Sequence, residues 1–244
     1  MGIENRMLGV IRYIAVVLSF LGSLLVDTIL FIFPGRRYSV FFNTKIAARS
    51  MLAILGIKVN VVKKKQLSNA KKFLLISNHQ SLMDIVLLYS IVDIPFSFIA
   101  KKELFFVPFL GLYLIVTGAL SINRKKIKKA HKDLQKAIKA LKRGKGLLIF
   151  PEGTRTREDK IKSFKRGFVR MAKEADVDIL PVVMRGSRNI MSKGSMIIKG
   201  NQKVDIIVGD LISIRDLSDA DALQKVETFF QKNYEELKRL NIES

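Results

Sequence analysis

A long apolar run occupies positions 7–33 and is closed by the helix-ending pair Pro34-Gly35. As a helix of about 27 residues it spans roughly 40 Å, more than a bilayer hydrocarbon core of about 30 Å. At 100° per residue its polar side chains share an arc of about 80°; they are Arg12, Ser19, Ser23 and Asp27. A one-sided polar stripe is typical of a helix in the membrane interface or against a partner, so an interfacial helix is predicted. A single spanning helix is the alternative.

A second apolar helix is predicted over residues 38–57, with Lys45 and Arg49 one turn apart. Together the two segments predict a two-helix membrane anchor over residues 1–57, followed by a second domain over 58–244. An ordinary hairpin of the protein core is the competing interpretation.

From residue 60 onward, short β-rich runs alternate with amphipathic helical patterns. Strands are predicted at Phe73–Ser77, Phe96–Ala100, Leu147–Phe150, Ile179–Met184, Ser195–Lys199 and Lys203–Val208. Helices are predicted near 82–91, 125–142, 164–175 and 219–240. This alternation predicts an α/β fold with a largely parallel central sheet flanked by helices. In such sheets, binding sites lie at the carboxyl ends of strands.

The uncharged run Leu104–Ile122 is long enough to resemble a second span, but Pro108, Gly111 and Gly118 interrupt it. We expect a buried or membrane-facing segment, with a core helix as the alternative.

Charge and composition narrow the classes of partner. Lys plus Arg number 43 against 21 Asp plus Glu, a formal net charge of +22, and such an excess attracts polyanions. Because 49% of the residues are hydrophobic, anionic membrane lipids are favoured over nucleic acid, which is not expected as a partner. There is no cysteine, which excludes disulfides, cysteine-ligated metals and a thiol nucleophile.

His79 follows the predicted strand Phe73–Ser77 and precedes a predicted helix whose N-cap is Ser81. The turn can bring the imidazole to Asp84, and a carboxylate on one ring nitrogen leaves the other nitrogen as a base. Two other interpretations stand: Asp84 as part of a capping box with Ser81, and His79 as a satisfied loop residue. The other histidine, His131, falls among the lysines of a predicted helix and is expected to be exposed. No metal site is predicted, because no further His or Cys is available.

Two segments present single arginines. One ends an apolar run at Arg124, and the other, Phe150–Arg155, follows a predicted strand and carries Glu152 in a Pro- and Gly-shaped turn. The planar fork of arginine holds phosphate through two oxygens. A helix-flanking charge for Arg124 and a surface ion pair for Arg155 are the alternatives.

Taken together, these segments resemble the motifs of the glycerophospholipid acyltransferase family, in particular its 1-acylglycerol-3-phosphate acyltransferases. In order, the four blocks are Asn78-His79 through Asp84, Gly118 to Arg124, Phe150 to Arg155, and Ile179 to Val183. Their order and separation agree with the family over roughly residues 70–210, which makes 58–244 the expected acyltransferase domain.

The resemblance implies direct acyl transfer, with His79 deprotonating the acceptor hydroxyl and Asp84 orienting the ring. It assigns the acceptor's phosphate and glycerol to Arg124, Arg155, Glu152 and Gly153, with Lys101 as a further phosphate ligand. No G-x-S-x-G elbow is present, so a covalent acyl-enzyme lacks an obvious nucleophile.

The expected reaction takes a fatty acyl group from acyl carrier protein or coenzyme A, a co-substrate rather than a cofactor, to the 2-hydroxyl of lysophosphatidic acid. Phosphatidate is the product. The expected location is the cytoplasmic face of the cell membrane, in a peripheral, monotopic arrangement. Alternatives are another lysophospholipid or glycerol 3-phosphate as acceptor, and a non-enzymatic membrane- or nucleic-acid-binding protein that uses the positive charge.

Overall fold

Two helices lead into an alternating series of strands and helices in the computed structural model, which describes residues 3–64, 72–122, 127–195 and 197–240. The helices are α1 (Ile3–Leu30), α2 (Arg36–Ile54), α3 (Met83–Ile91), α4 (Leu110–Val116), α5 (Ile127–Lys142), α6 (Gly167–Ala175), α7 (Ser187–Ile190) and α8 (Asp219–Leu240). The strands are β1 (Lys58–Lys64), β2 (Phe73–Ser77), β3 (Phe96–Lys101), β4 (Leu120–Ile122), β5 (Gly146–Ile149), β6 (Asp178–Arg185) and β7 (Lys203–Val208). A 3₁₀ turn, Lys102–Phe106, connects β3 to α4.

Within the described residues, the seven strands form one sheet in the order β1-β7-β6-β2-β5-β3-β4. All neighbouring strands are parallel except β6 and β7, which are antiparallel. The α/β class with a largely parallel central sheet is therefore confirmed. Strand β2 lies in the middle of this sheet between β5 and β6, which are both parallel to it. Its carboxyl end is therefore at the centre of the edge where these strands end.

Helices cover both faces of the sheet and make two cores. On one face α2 and α3 pack with Leu75, and on the other α5, α6 and α8 pack with Leu74 and Ile76. All five residues of β2 are buried. A strand buried on both faces is an uninterrupted apolar run, and this is why Phe73–Ser77 could be predicted with its exact bounds.

Most predicted elements agree with the structure. Strand Lys203–Val208 matches β7, and helices near 82–91, 164–175 and 219–240 match α3, α6 and α8. The helix near 125–142 matches α5 from Ile127, and its first two residues lie outside the described part.

The strand predicted at Ser195–Lys199 is wrong for its described residues, which have irregular backbone. The chain turns at Gly194, whose φ is +93°, and the Lys199 N–H donates to the carbonyl of Ile190 instead of a neighbouring strand. The two edge strands β1 and β4 were not predicted. Strand β1 is rich in lysine and β4 has three residues, so neither has the apolar pattern of a central strand.

Helices α1 and α2 form a hairpin that turns at Gly35, where φ is +76°. The polar stripe of α1 faces the protein: the buried Asp27 carboxylate accepts hydrogen bonds from Asn43 Nδ2 at 2.8 Å and from Thr44 Oγ1 at 3.1 Å. Apolar side chains cover the outer side of α1. Over Gly9–Leu30, this helix is by length and composition long and apolar enough to cross a membrane.

Helix α2 also belongs to the core of the second domain. Its residues Ala48 and Leu52 are buried in the cluster that includes α3. The two-helix anchor and the boundary between residues 57 and 58 stay predictions.

The run Leu104–Ile122 folds as the 3₁₀ turn, α4 and β4. Its side chains differ in exposure: Leu114 and Val116 are buried, whereas Phe106 and Phe109 are exposed. Membrane contact of the exposed ones stays a prediction. Helix α4 packs on α1 through the Tyr113 and Phe20 rings, whose centroids are 5.5 Å apart.

Candidate active site

The His79 turn, residues 78–81, lies at the carboxyl end of β2. His79 Nδ1 is 2.8 Å from Asp84 Oδ2, and the main-chain N–H groups of Gln80 and Ser81 donate to that same oxygen at 2.8 and 2.9 Å. Because this oxygen accepts from both amides, His79 Nδ1 faces it as a third donor, and Nε2 lies on the other side of the ring. The His79 side chain is 16% exposed and Asp84 is fully buried.

Helix capping and ring orientation occur together here. Ser81 Oγ accepts from the Met83 N–H at 3.2 Å while the Asp84 carboxylate accepts from the Ser81 N–H, a reciprocal pair similar to a capping box. The predicted N-cap Ser81 lies one residue too early, because the N-cap is Leu82 and α3 begins at Met83, which places Asp84 in its first turn. The sequence alternatives for Asp84 therefore do not compete, because one carboxylate performs both tasks.

The Glu152 loop, residues 150–156, encloses His79. The Phe150 ring stacks on the imidazole, with centroids 4.0 Å apart and planes 13° from parallel. Glu152 Oε1 accepts from the His79 N–H at 2.7 Å, and the Thr156 N–H donates to the His79 carbonyl at 2.9 Å. The candidate base is thus held through its ring and through both main-chain polar groups.

Glu152 is itself buried, and its second oxygen accepts from the Lys162 N–H at 3.2 Å. Burial raises the pKa of Glu152 to about 7, and the two amide hydrogen bonds from His79 and Lys162 oppose that rise. Both of its oxygens bind main chain, which makes it a positioning residue. The role in the glycerol site that the resemblance assigns to it stays a prediction.

Arg155 follows in the same loop, one residue before the Thr156 amide that binds His79. Its guanidinium Nη1 is buried and has no hydrogen-bond partner among the described residues. A buried charged donor without a partner is costly. The phosphate-binding role that the resemblance assigns to Arg155 stays a prediction. Gly153 has φ +71°, a backbone conformation that residues with a side chain rarely adopt, so this turn favours glycine.

Two further residues, Lys101 and Arg124, were predicted to bind the phosphate. Lys101 is the last residue of β3, half-exposed, and its Nζ is 3.6 Å from Glu103 Oε1. In the part of the chain that the structure describes, it makes no hydrogen bond to the His79 turn or the Glu152 loop. Arg124 lies outside the described residues. Strand β4, which precedes it, pairs Ile122 with Lys101 and so ends at the same sheet edge.

Several side chains that support the turn were not assigned a role from the sequence. The Asn78 amide binds both main-chain groups of Met184, donating at 2.8 Å and accepting at 2.9 Å, which joins the turn to β6. Gln80 Nε2 donates to the Tyr234 hydroxyl at 2.6 Å, and that hydroxyl donates to Asp159 Oδ1 at 2.8 Å. Each pairing joins residues more than 70 positions apart, for which a local pattern has no signal.

Comparisons with known proteins show which family this chain is similar to. A family model described as Acyltransferase matches residues 58–185. The 1-acyl-sn-glycerol-3-phosphate acyltransferase of Borreliella burgdorferi is 32% identical over 73% of this chain and 71% of that protein. The enzyme of the same name from Saccharomyces cerevisiae is 31% identical over 82% of this chain and 70% of its own length.

One solved structure matches nearly the whole chain. It is the crystal structure of the 1-acyl-sn-glycerophosphate (LPA) acyltransferase PlsC from Thermotoga maritima, with a TM-score of 0.83, 27% identity and 97% of both chains covered. These relatives confirm the expectation of an O-acyltransferase. By the match over residues 58–185 and by its relatives in two other organisms, the chain belongs to the acyltransferase family.

Proposed function

We propose that this enzyme transfers a fatty acyl group from the thioester of acyl carrier protein or coenzyme A to the 2-hydroxyl of 1-acylglycerol 3-phosphate, giving phosphatidate. The observation that carries the proposal is the His79–Asp84 pair, whose 2.8 Å hydrogen bond uses Nδ1 and leaves Nε2 available to an acceptor at a strand end. The relatives named above are acyltransferases of this acceptor, which supports the choice of substrate.

In the proposed reaction, His79 Nε2 accepts the proton of the acceptor's 2-hydroxyl as its oxygen attacks the thioester carbonyl. The carbon–oxygen ester bond forms and the carbon–sulfur bond breaks. The imidazolium then returns its proton to the departing thiolate. Throughout, Asp84 stabilises the positive charge on the ring and keeps Nε2 directed at the acceptor.

Binding of the acceptor's phosphate is assigned to arginine. Arg155 supports this role because one of its guanidinium nitrogens is buried without a partner in the described residues, next to the loop that holds His79. We include Arg124 and Lys101 as further phosphate ligands, since β3 and β4 end at the same sheet edge as β2. Glycerol 3-phosphate and other lysophospholipids also carry a phosphate group, and competition between acceptors distinguishes them from lysophosphatidate.

We further propose that the enzyme works as a monotopic protein on the cytoplasmic face of the cell membrane. The apolar side of α1 supports membrane contact, because Leu18 and Leu25 are 63% and 64% exposed while Asp27 is turned inward against α2. A helix with one apolar side outward and one polar side on the protein fits the interface better than a span surrounded by lipid.

The deciding experiment is an acyl-transfer assay with both thioesters and lysophosphatidate on the wild type and His79→Ala. A general base contributes about 10²- to 10⁴-fold, so the variant should lose at least 10²-fold in rate while keeping its unfolding midpoint. His131→Ala is the matched control and should keep full activity. Equal rates for wild type and His79→Ala would remove His79 from the mechanism, and inactivity of the wild type on every lysophospholipid would contradict the proposed reaction.

A further inference from the structure

A pocket lies at the sheet edge opposite His79. It encloses about 310 Å³ between the α1–α2 hairpin and the amino ends of strands. Its sheet-side wall is made by residues that open strands or directly precede them: Phe96 and Ser97 begin β3, Gly118 precedes β4 and Lys145 precedes β5. Since these strands are parallel to β2, the pocket is separated from the His79 turn by the length of the sheet.

Three cations meet in this pocket: Arg36 and Arg37 from the start of α2, and Lys145 from the sheet. Of the described residues that line the pocket, none carries a carboxylate. Nor is any of the three cations within 4.0 Å of a carboxylate oxygen of the described residues. Like charges grouped without an opposite charge repel one another, so the arrangement favours an anion as occupant.

The pocket is also preorganised for hydrogen bonding. The Arg37 Nη2 group donates to the Pro95 carbonyl at 3.3 Å, and the Arg36 guanidinium lies 4.5 Å from the centroid of the Phe31 ring. Each guanidinium has five N–H donors, so most of them remain for a ligand.

Lys145 is the most enclosed of the three cations. It is half-buried, and its pKa is lowered by burial and further by the positive charges of Arg37 and Arg36. An anion in the pocket would relieve the repulsion that Lys145 experiences.

We propose that this pocket binds the phosphate of an anionic phospholipid headgroup, held by Arg37 and Lys145, with the lipid chains against exposed apolar side chains of the turn between α1 and α2 and of α4. The apolar surroundings select a lipid over a soluble anion. Phe31 and Ile115 line the pocket, Ile115 is 52% exposed, and Ile32 and Phe33 beside the arginines are 80% and 57% exposed. The bound lipid would be a resident contact with the membrane, distinct from the acceptor at His79.

The proposal depends on the membrane association proposed above and not on the chemistry of His79. Its test therefore uses phosphatidylglycerol, which is neither substrate nor product of the proposed reaction. Fluorescent-tailed phosphatidylglycerol is titrated into the full-length protein in neutral detergent micelles, and stoichiometry and affinity are measured. The variants are Arg37→Gln/Lys145→Gln, Arg37→Lys, and a control, Lys232→Gln/Arg239→Gln, which removes two charges from α8 on the opposite face of the sheet.

We expect one lipid per wild-type chain and at least about tenfold weaker binding in Arg37→Gln/Lys145→Gln, because each removed cation loses a charge-assisted hydrogen bond. Arg37→Lys keeps the charge and should bind several-fold more weakly, since lysine lacks the planar fork. The control should bind within about twofold of the wild type.

Three results would overturn the proposal. They are wild-type affinity in Arg37→Gln/Lys145→Gln, an equal loss in the α8 control, and full displacement of the lipid by inorganic phosphate at matched concentration. Unfolding midpoints identify a variant that fails to fold. If Arg37→Gln/Lys145→Gln fails to fold, the lipid affinity of Arg37→Lys decides the test. Acyl transfer measured on the same samples separates the two proposals, because loss of this lipid should leave the His79 chemistry intact.

Discussion

One oxygen of Asp84 accepts hydrogen bonds from the His79 ring and from two main-chain amides. In Asp84→Asn the side chain keeps its size but loses the charge that supports an imidazolium. We expect the acyl-transfer rate to fall by about 10²- to 10⁴-fold. Because the two residues act as one unit, Asp84→Asn combined with His79→Ala should be little slower than His79→Ala alone. Multiplicative losses in initial rate would show that Asp84 and His79 act independently.

Glu152 predicts a particular pH dependence of stability. Because its pKa is raised from 4.5 to about 7 in the folded protein, the folded state holds this proton more tightly than the unfolded state. The stabilisation is complete below about pH 4.5 and is lost as the pH rises to 7, by as much as about 3 kcal/mol.

The glutamine of Glu152→Gln does not titrate, so this substitution should remove the pH-dependent part of the stability that Glu152 contributes. Unfolding midpoints of wild type and variant are measured from pH 4.5 to 7.5 in neutral detergent, and the difference between them is plotted against pH. The wild type should lose stability relative to the variant as the pH rises. A flat difference, or one of opposite slope, would contradict the raised pKa.

The helices contribute unequally to the site. Helix α3 fixes Asp84 in its first turn, whereas α8 reaches the His79 turn through one hydroxyl, that of Tyr234, between Gln80 and Asp159. Both the hydroxyl and the ring of Tyr234 are buried. Removing the hydroxyl leaves the buried Gln80 amide without this partner and removes one donor from Asp159, whose side chain is 30% exposed and also binds Arg185.

We therefore expect Tyr234→Phe to lower the free energy of unfolding by about 1–3 kcal/mol. The turn should be held less firmly, so the transfer rate should fall by a few-fold, far less than for His79→Ala. Denaturant unfolding and initial rates measure the two effects. Phe229→Leu, on the same helix and without a polar partner, is a comparison that should affect stability alone; an unchanged midpoint in Tyr234→Phe would contradict the role of the hydroxyl.

For the molecule as a whole, the net charge of +22 and the apolar outer side of α1 predict two components of membrane binding. Vesicles rich in anionic lipid should bind more strongly than neutral ones, and salt should weaken only the electrostatic part. Leu18→Gln should reduce binding to both kinds of vesicle by about tenfold, because a buried leucine contributes about 1.5–3 kcal/mol.

Leu211→Gln is the matched control for Leu18→Gln, since Leu211 is also exposed but lies far along the chain from α1. Co-sedimentation with vesicles measures both variants. Equal losses of vesicle binding in the two variants would show that binding does not depend specifically on α1. Complete loss of binding at high salt would show that the membrane contact is electrostatic only.

How much was predictable from the sequence varies with the element. The central strands and the long helices were predictable because each is long enough, and buried enough, to show a complete apolar pattern in the sequence. Edge strands such as β4 have few residues and little burial, and the predicted strand at Ser195–Lys199 failed because its main chain turns at Gly194 to bond within its own loop. Among the site residues, the His79–Asp84 pair was predictable because the turn and the first turn of α3 join them within six positions.

The sequence by itself therefore determined the α/β class, the position of the candidate base at a strand end and, through four blocks in order, the family. Only the tertiary structure decided that Phe150 stacks on His79, that Glu152 binds the main chain of His79, and that the polar stripe of α1 faces α2. It also decided that Arg37 and Lys145 meet in one pocket. The physical reason is the same in each case: local periodicity and turn chemistry act over a few residues, whereas these contacts join segments that are distant along the chain and become neighbours only when the sheet and its helices pack.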